Sequence, residues 1–467
     1  MHYPWWHVPY LTSPMLIAAI SVLHVLVSHY AVGGGLFLAM ETSHAYRSMD
    51  RDYLAYLRRH TKFFVLLTVV LGAVTGVGIW WTIGLASPLA TETLIRTFVF
   101  GWATEYVFFL VELVAAFLFL YYWGRLPSRI HAAIGWIYGV AAWISLVLIT
   151  GITAFMLNPG GWLEHRSFWV AFFNPQFLPQ TIARTGGALL LCSLYVYLHA
   201  SLTLNDPRLH EMVVRRSVRP AALGALGIVV GGVGWLAFLP ESAKAVLEGA
   251  AALNILITLT ALLTLIVFLL IFLGPYRNPG WMSPGFALSL TLFGMGAFSM
   301  SEFVREAVRK PYVIYNVVLG NQIFPDEVAG MRVMGYLERG VWTREYVKQR
   351  FPQLVDYAGH VDEEAMLRLP EEEQLALGAV LFQYHCNDCH AADRGYSAVA
   401  PLIRGRSQSQ NLATIEHLST VHYLMPPWAG TPEEAVVLSK YLTGIAEERP
   451  AGMLPPTVQR NPTKTGD

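Results

Sequence analysis

The sequence predicts an all-α fold: a polytopic membrane helix bundle of about eight transmembrane helices, followed by a small soluble α-helical domain. Three observations carry that prediction. Of 467 residues, 54% are hydrophobic and only 14% charged, and mean hydropathy is +0.44, too apolar for a water-soluble chain of this length. Eight apolar segments are long enough to cross a bilayer, near 13–42, 61–86, 97–124, 129–157, 180–204, 217–240, 248–274 and 283–303. Beyond the last of them the composition changes to a mixture of aromatic and charged residues.

The formal net charge is zero, which points to no nucleic-acid partner. The opening MHYPWWHVPYLTSP lacks the basic region of a cleavable signal, so the first apolar segment is expected to remain as a helix. The loops between spans divide by charge. One set holds Arg47, Arg51, Arg58, Arg59 and Lys62, then Arg125 and Arg129, then Arg208, Arg215, Arg216 and Arg219, then Arg277. The alternate set holds little beyond Arg96, Arg166 and Lys244. The first set is therefore expected on the cytoplasmic side, with the N-terminus outside. Eight spans return the C-terminal domain to the outer, periplasmic face of a bacterial inner membrane.

The strongest motif lies in that domain. Cys386-Asn387-Asp388-Cys389-His390 is CxxCH, the attachment signature of a covalent c-type haem. Two thiols form thioethers and the histidine ligates the iron. Downstream, Met425-Pro426-Pro427-Trp428 offers a thioether on a proline-stiffened loop as the sixth ligand. A zinc half-site would need a second ligand pair, and the only other cysteine is Cys192. A helix from Glu372 to Tyr384 leads into the motif, and Pro432 to Ala446 closes the domain. Residues 371–450 are thus expected to be a cytochrome c domain and 1–311 a transmembrane haem b domain. Residues 312–370 are an extracytoplasmic connector and 451–467 a disordered tail.

Ionisable groups inside the spans need a partner or a task, because each costs several kcal/mol at mid-bilayer. The first span carries His24 and His29, the third Glu105 and Glu112, the fifth Arg184 and His199, and the eighth ends in Ser299, Met300 and Glu302. At 1.5 Å per residue, His24 lies about 16 Å and Glu105 about 12 Å from their outer ends. Arg184, Met300 and Glu302 also fall in the outer half. Glu105 and Glu112 are two turns apart and share a face. For His29, His131 and His199 the expected role is a hydrogen-bonded bundle residue. For His24 and Glu105 it is an axial ligand with a carboxylate beside it, since neutral imidazole suits a b-type haem. Arg184 is a candidate partner for haem propionates.

These residues resemble subunit I of the cytochrome bd-type oxidases. The resemblance runs from about Pro14 to Trp162. It includes His24 upstream of Leu38-Ala39-Met40-Glu41-Thr42, the Gly72-Ala73-Val74-Thr75-Gly76 stretch, and the paired glutamates before Tyr122-Trp123-Gly124-Arg125-Leu126. Phe303 to Tyr312 is similar to a second family signature. The resemblance implies that His24 and Glu105 serve an oxygen-reactive haem site and that Glu112 serves haems or protons. The departures are specific. The family's long quinol loop between the sixth and seventh spans shrinks to about Glu241 to Leu247. Arg184 stands where a low-spin haem ligand is expected, no methionine occurs in Ala250 to Leu256, and Ser299 stands near an expected glutamate. Direct quinol binding is therefore not expected.

The leading functional expectation is an electron-transfer subunit of a larger respiratory complex. Electrons would pass between one covalent haem c and one or two intramembrane b-type haems. The alternative is a cytochrome c-linked, bd-like oxidase that reduces oxygen at the His24 haem, with a b- or d-type ring. Either way the chain is an oxidoreductase component. A transporter with a regulatory haem domain ranks last, because it leaves the bd-like spacing without a reason. The expected partners are a second polytopic subunit, packed on the glycine- and alanine-rich sixth and seventh spans, and an external cytochrome c or other redox protein.

Overall fold

The computed structural model describes residue 6 and residues 8–340 and 342–447. The expected tail at 451–467 and positions 448–450 of the expected terminal domain lie outside the described residues. Among the described residues, eight helices are long and apolar enough to cross a membrane. They are α1 (Ser13–Ser48), α2 (Arg51–Ala86), α3 (Val99–Tyr121), α4 (Ser128–Phe155), α5 (Phe177–Thr203), α6 (Pro207–Ala237), α7 (Ala251–Arg277) and α8 (Pro284–Ala307). Among the described residues, strand is confined to Tyr312–Ile314 and Val318–Leu319.

Every expected span is present, and several run longer than their apolar stretch. α2 begins ten residues before position 61 because Arg51 to Lys62 is amphipathic, burying Tyr53, Tyr56, Leu57 and His60 while its arginines face out. Asp50 caps it by accepting the Tyr53 N–H at 2.9 Å. α6 likewise starts at Pro207, where Asp206 accepts the Arg208 N–H and proline occupies the first turn. Between α6 and α7 the chain makes a nine-residue helix, Glu241–Gly249. α2 carries a π-helical turn at Leu66–Leu71, a feature that locally widens a helix.

Backbone approach governs the bundle. Three successive glycines on α1 face three different helices. A Cβ on Gly33 would lie 2.0 Å from the Ala188 carbonyl oxygen of α5, one on Gly34 2.6 Å from the Phe64 ring of α2, and one on Gly35 2.1 Å from the Tyr138 ring of α4. α5 and α6 meet the same way, through Gly186 against Gly224 and Ala183 against Gly231. The small residues of α6 that were expected to await a second subunit are therefore used, in part, inside this chain. Gly232 alone has open space beside it on that stretch, next to exposed Val229, Val230 and Val233.

The chain divides into two compact units, one of residues 17–84 and 89–317, the other of 318–447 with 8–16 and 85–88. In the second unit, α9 (Val328–Arg339), α10 (Glu371–His385), α11 (Gln408–Glu416) and α12 (Pro432–Ala446) surround one apolar core. Ile323, Met331, Tyr336, Leu337, Val347, Leu354 and Met366 share it with Leu377, Leu381, Trp428 and Leu438. The connector is thus packed into the same core as the CxxCH helix. Tyr10 also belongs to this unit, its carbonyl accepting the Tyr396 N–H at 2.8 Å.

Glu434 is fully buried in the first turn of α12, where its carboxylate accepts the backbone N–H groups of Tyr336, Leu337 and Thr431. Glu363 accepts the Thr431 hydroxyl at 2.9 Å, and its second oxygen is buried without a partner. Burial raises Glu363, and the facing Glu434 raises it further. Burial also raises Glu434, against the pull of its three N–H donors. A raised carboxyl binds more protons folded than unfolded, so its stabilisation is complete below the ordinary carboxylate range and is lost as pH rises through the folded value.

The thermal midpoint of the full chain's second unit should therefore fall as pH rises above the ordinary carboxylate range. Glu363→Gln should flatten that slope, measured by circular dichroism at several pH values. In the bundle, Gly231→Val should cost about 1–3 kcal/mol by overpacking, while Gly232→Val should be near neutral. Thermal stability in detergent separates the two.

Candidate functional site

The CxxCH motif starts where α10 ends. Cys386 is the C-cap, its N–H bonded to the Phe382 carbonyl at 2.8 Å. The chain then turns so that the N–H groups of Cys389 and His390 both reach the Cys386 carbonyl, each at 3.0 Å. That turn brings two thiols and an imidazole together at one helix end. His390 Nδ1 lies 2.8 Å from the Ser397 carbonyl oxygen. A carbonyl can only accept, so Nδ1 carries the proton and Nε2 the lone pair, the tautomer an iron ligand needs. Asn387 braces the turn by donating to the His390 carbonyl at 3.0 Å.

The two cysteines are not joined in a disulfide. Burial, with Cys389 adding, pushes the Cys386 thiol up to about 12. Among the described residues no group of three or more His, Cys, Asp or Glu is arranged to hold a bare metal ion. Met425 is half-buried on the loop before Pro426 and Pro427, its N–H held by the His422 carbonyl at 2.9 Å. Cys386, Cys389, His390 and Met425 thus suit a covalent haem in kind and in tautomer.

Sequence reasoning passed over the residues that frame this site. His385, next to Cys386, is buried, and burial pushes its imidazole down to about 3, so it is neutral. Its Nδ1 meets the Tyr336 hydroxyl at 2.5 Å and the Asn321 amide at 3.1 Å. Both partners come from the connector, and no local spacing could have revealed them.

In the bundle, His24 Nδ1 lies 3.1 Å from Thr75 Oγ1. Thr75 spends its own proton on the Leu71 carbonyl at 2.7 Å, so it accepts from His24 and leaves the lone pair on Nε2. Gly76 sits against this ring: a Cβ there would come within 3.2 Å of His24 Cε1. The Gly72–Gly76 stretch therefore positions the histidine, and His24 is half-buried and oriented as a ligand would be. Glu105 accepts the Ser145 hydroxyl of α4 at 2.7 Å, and Glu112 the Tyr138 hydroxyl, also of α4, at 3.2 Å. The pair shares one face of α3, with α4 as its partner. His24 donates its hydrogen bond to Thr75 of α2 and not to Glu105.

Arg184 Nη1 reaches Thr150 Oγ1 at 3.5 Å, a long contact that leaves the guanidinium capacity to spare. Glu302 is paired with Arg305 at 2.8 Å, and Ser299 donates to the Met295 carbonyl on its own helix. His131 is satisfied by Tyr46 and the Phe119 carbonyl. His29 bonds the Val25 carbonyl at 3.0 Å through Nδ1, while its buried Nε2 has no partner. His60 and His199 stand with ring centroids 4.7 Å apart, the Nδ1 of each buried without a partner. The His60 ring lies in the amphipathic start of α2, a position the charge count assigned to a loop.

Residues 13–236 match the family model of cytochrome bd terminal oxidase subunit I. The solved structure of bd oxidase from Geobacillus thermodenitrificans is similar in fold, with TM-score 0.58 and 17% identity over 65% of this chain and 88% of that one. Comparison with curated proteins gives no match. The chain is a multi-pass membrane protein whose helices form a bundle of the bd-oxidase fold.

Ser145→Ala should shift the infrared carboxyl or carboxylate band that Glu105→Gln removes. Tyr138→Phe should shift only the Glu112 band. Difference spectra of the four variants check the pairing.

Proposed function

We propose that this chain is the electron-transfer subunit of a respiratory complex in a bacterial inner membrane, linking an outer-face cytochrome c unit to b-type haem in the bundle. The observation that carries the reading is the CxxCH turn at the end of α10, with the His390 tautomer held by Ser397. Bound at Cys386, Cys389, His390 and Met425, a haem supplies one-electron redox chemistry. The protein's part is to orient the imidazole, to pack the Cys386 thiol against the core around Phe382 and Tyr384, and to stiffen the methionine loop with two prolines. In the bundle, Thr75 and Gly76 orient His24 for a second haem, and Arg184 offers charge to its propionates.

The short helix at Glu241–Gly249 leaves no long loop between α6 and α7, which supports an electron donor or acceptor other than a quinol bound there. An external cytochrome c or similar redox protein fits the CxxCH unit, and a second polytopic subunit fits the exposed apolar face around Gly232.

A second reading, a cytochrome c-linked oxygen reductase of bd-like type, is favoured by one observation. Glu105 and Glu112 form a two-turn series of carboxyl groups with hydroxyl partners, an arrangement suited to moving protons toward a reduction site.

Carbon monoxide difference spectra of the dithionite-reduced protein separate the two. Unshifted b and c bands mean closed coordination and support the relay. A shifted b- or d-type band means an open iron and supports the reductase. His390→Ala or Cys389→Ala should abolish the c-type spectrum, whereas His24→Ala should remove a b-type signal and leave the c bands. Pyridine haemochrome spectra of the variants measure both.

A further inference from the structure

The connector ahead of the CxxCH helix supplies one side chain that touches both halves of the expected haem c ligation. α9 breaks at Gly335, whose backbone adopts φ +79°, ψ 164°. A Cβ there would lie 2.6 Å from Glu363 and 2.7 Å from Glu434, so glycine is required both by conformation and by space. The break turns the N–H groups of Tyr336 and Leu337 onto Glu434, at 2.8 and 2.7 Å. Tyr336 is thereby driven into the core, with no exposed surface.

Its hydroxyl serves three segments of chain at once, Asn321 Nδ2 donating to it at 3.3 Å. The Ala429 N–H donates to it at 3.2 Å, and it lies 2.5 Å from His385 Nδ1. Having accepted from a backbone N–H, the phenol gives its own proton to His385. His385 precedes Cys386, and Ala429 follows the Met425-Pro426-Pro427-Trp428 stretch. One phenol therefore fastens the thiol-bearing helix end to the methionine loop. The Tyr336 ring packs on Trp428 at 5.1 Å and on His385 at 5.5 Å. From the preceding turn of α9, Arg332 Nε donates to the Trp428 carbonyl at 2.9 Å. Two prolines separate Met425 from Trp428, and their fixed φ angles leave little slack to absorb a displacement of Trp428.

We propose that Tyr336, with Arg332, is a positioning residue for the sixth ligand of haem c, so that the connector holds Met425 on the iron and tunes its redox potential. The inference rests on the haem c reading and extends it to residues outside the CxxCH and methionine segments. Without the phenol oxygen, the Ala429 N–H and the His385 Nδ1 each lose a buried partner. The cheapest relief is for the 425–429 loop to move toward water, carrying the thioether with it.

The test uses the full-length holoprotein, wild type and Tyr336→Phe, with Tyr441→Phe as a tyrosine control in the same core. Covalent haem is read from the pyridine haemochrome. Thioether ligation is read from the long-wavelength band of ferric Met-ligated haem, from the midpoint potential, and from carbon monoxide binding to the ferrous c-type centre. Tyr336→Phe is expected to keep its covalent haem yet lose the band, lower the potential and bind carbon monoxide, with Tyr441→Phe like wild type. Unchanged band, potential and carbon monoxide behaviour in Tyr336→Phe overturn the inference. A wild-type protein without covalent haem overturns the haem c reading itself, a distinct result. Should Tyr336→Phe fail to fold, Arg332→Gln removes only the hold on Trp428. A weakened band then supports the inference, and an unchanged one overturns it.

Discussion

The three glycines in the middle of α1 are the constraint on which the bundle depends. Gly33, Gly34 and Gly35 point toward α5, α2 and α4 in succession, and at each a methyl group would overlap its neighbour. In a bilayer no hydrophobic effect drives helices together, so association rests on close packing and a few internal polar contacts. A helix without side chains on three sides lets three others approach it, and their polar groups then come within bonding reach. Glu41, one turn and a half further along α1, is buried, accepts the Tyr53 hydroxyl of α2 at 2.8 Å and pairs with Arg216 of α6. Breaking such a buried pair by removing one partner typically costs about 3–5 kcal/mol, so α1 is anchored toward its C-terminal end as well as its middle.

That packing distributes the polar groups of the bundle unequally. Glu105, Glu112 and His131 have hydroxyl or carbonyl partners, and His24 is held by a threonine. His29, His60 and His199 each keep one buried ring nitrogen without a partner. An unpartnered buried polar atom is costly, so these three positions, with the under-used guanidinium of Arg184, are where the bundle departs from simple packing. The π-helical turn of α2 falls between His60 and the Thr75–Gly76 pair that seats His24, and it sets the rotation of one relative to the other.

The second unit solves a different problem. A domain of this size has little core of its own, and the residues from Ile323 to Met366 enlarge it. They also bring in polar groups that a free-standing domain would lack: Tyr336 and Arg332 at the methionine loop, and Asn321 at His385. Glu434 pays for the break in α9 by taking two of the N–H groups that the break would strand. The connector is thereby tied to both ends of the Cys386–Met425 segment through its own side chains, which reach the His385 ring and the Trp428–Ala429 backbone.

Much of this was legible in the residue order. Span number follows from the length of apolar runs, because the bilayer has a fixed thickness. The expectation of a covalent haem rests on CxxCH, because its candidate ligands are adjacent and their spacing is local. His24 and the paired glutamates could be singled out from position, and Thr75 and Gly76, which pack against the His24 ring, lay inside a stretch already singled out. Tertiary structure alone decided the rest. It alone matched Ser145 and Tyr138 to their carboxyl groups, turned the α6 glycines inward onto α5, and brought Tyr336 beside His385 and Ala429. Each of these joins residues tens of positions apart, and a periodic pattern records which face of a helix is buried without recording what it is buried against.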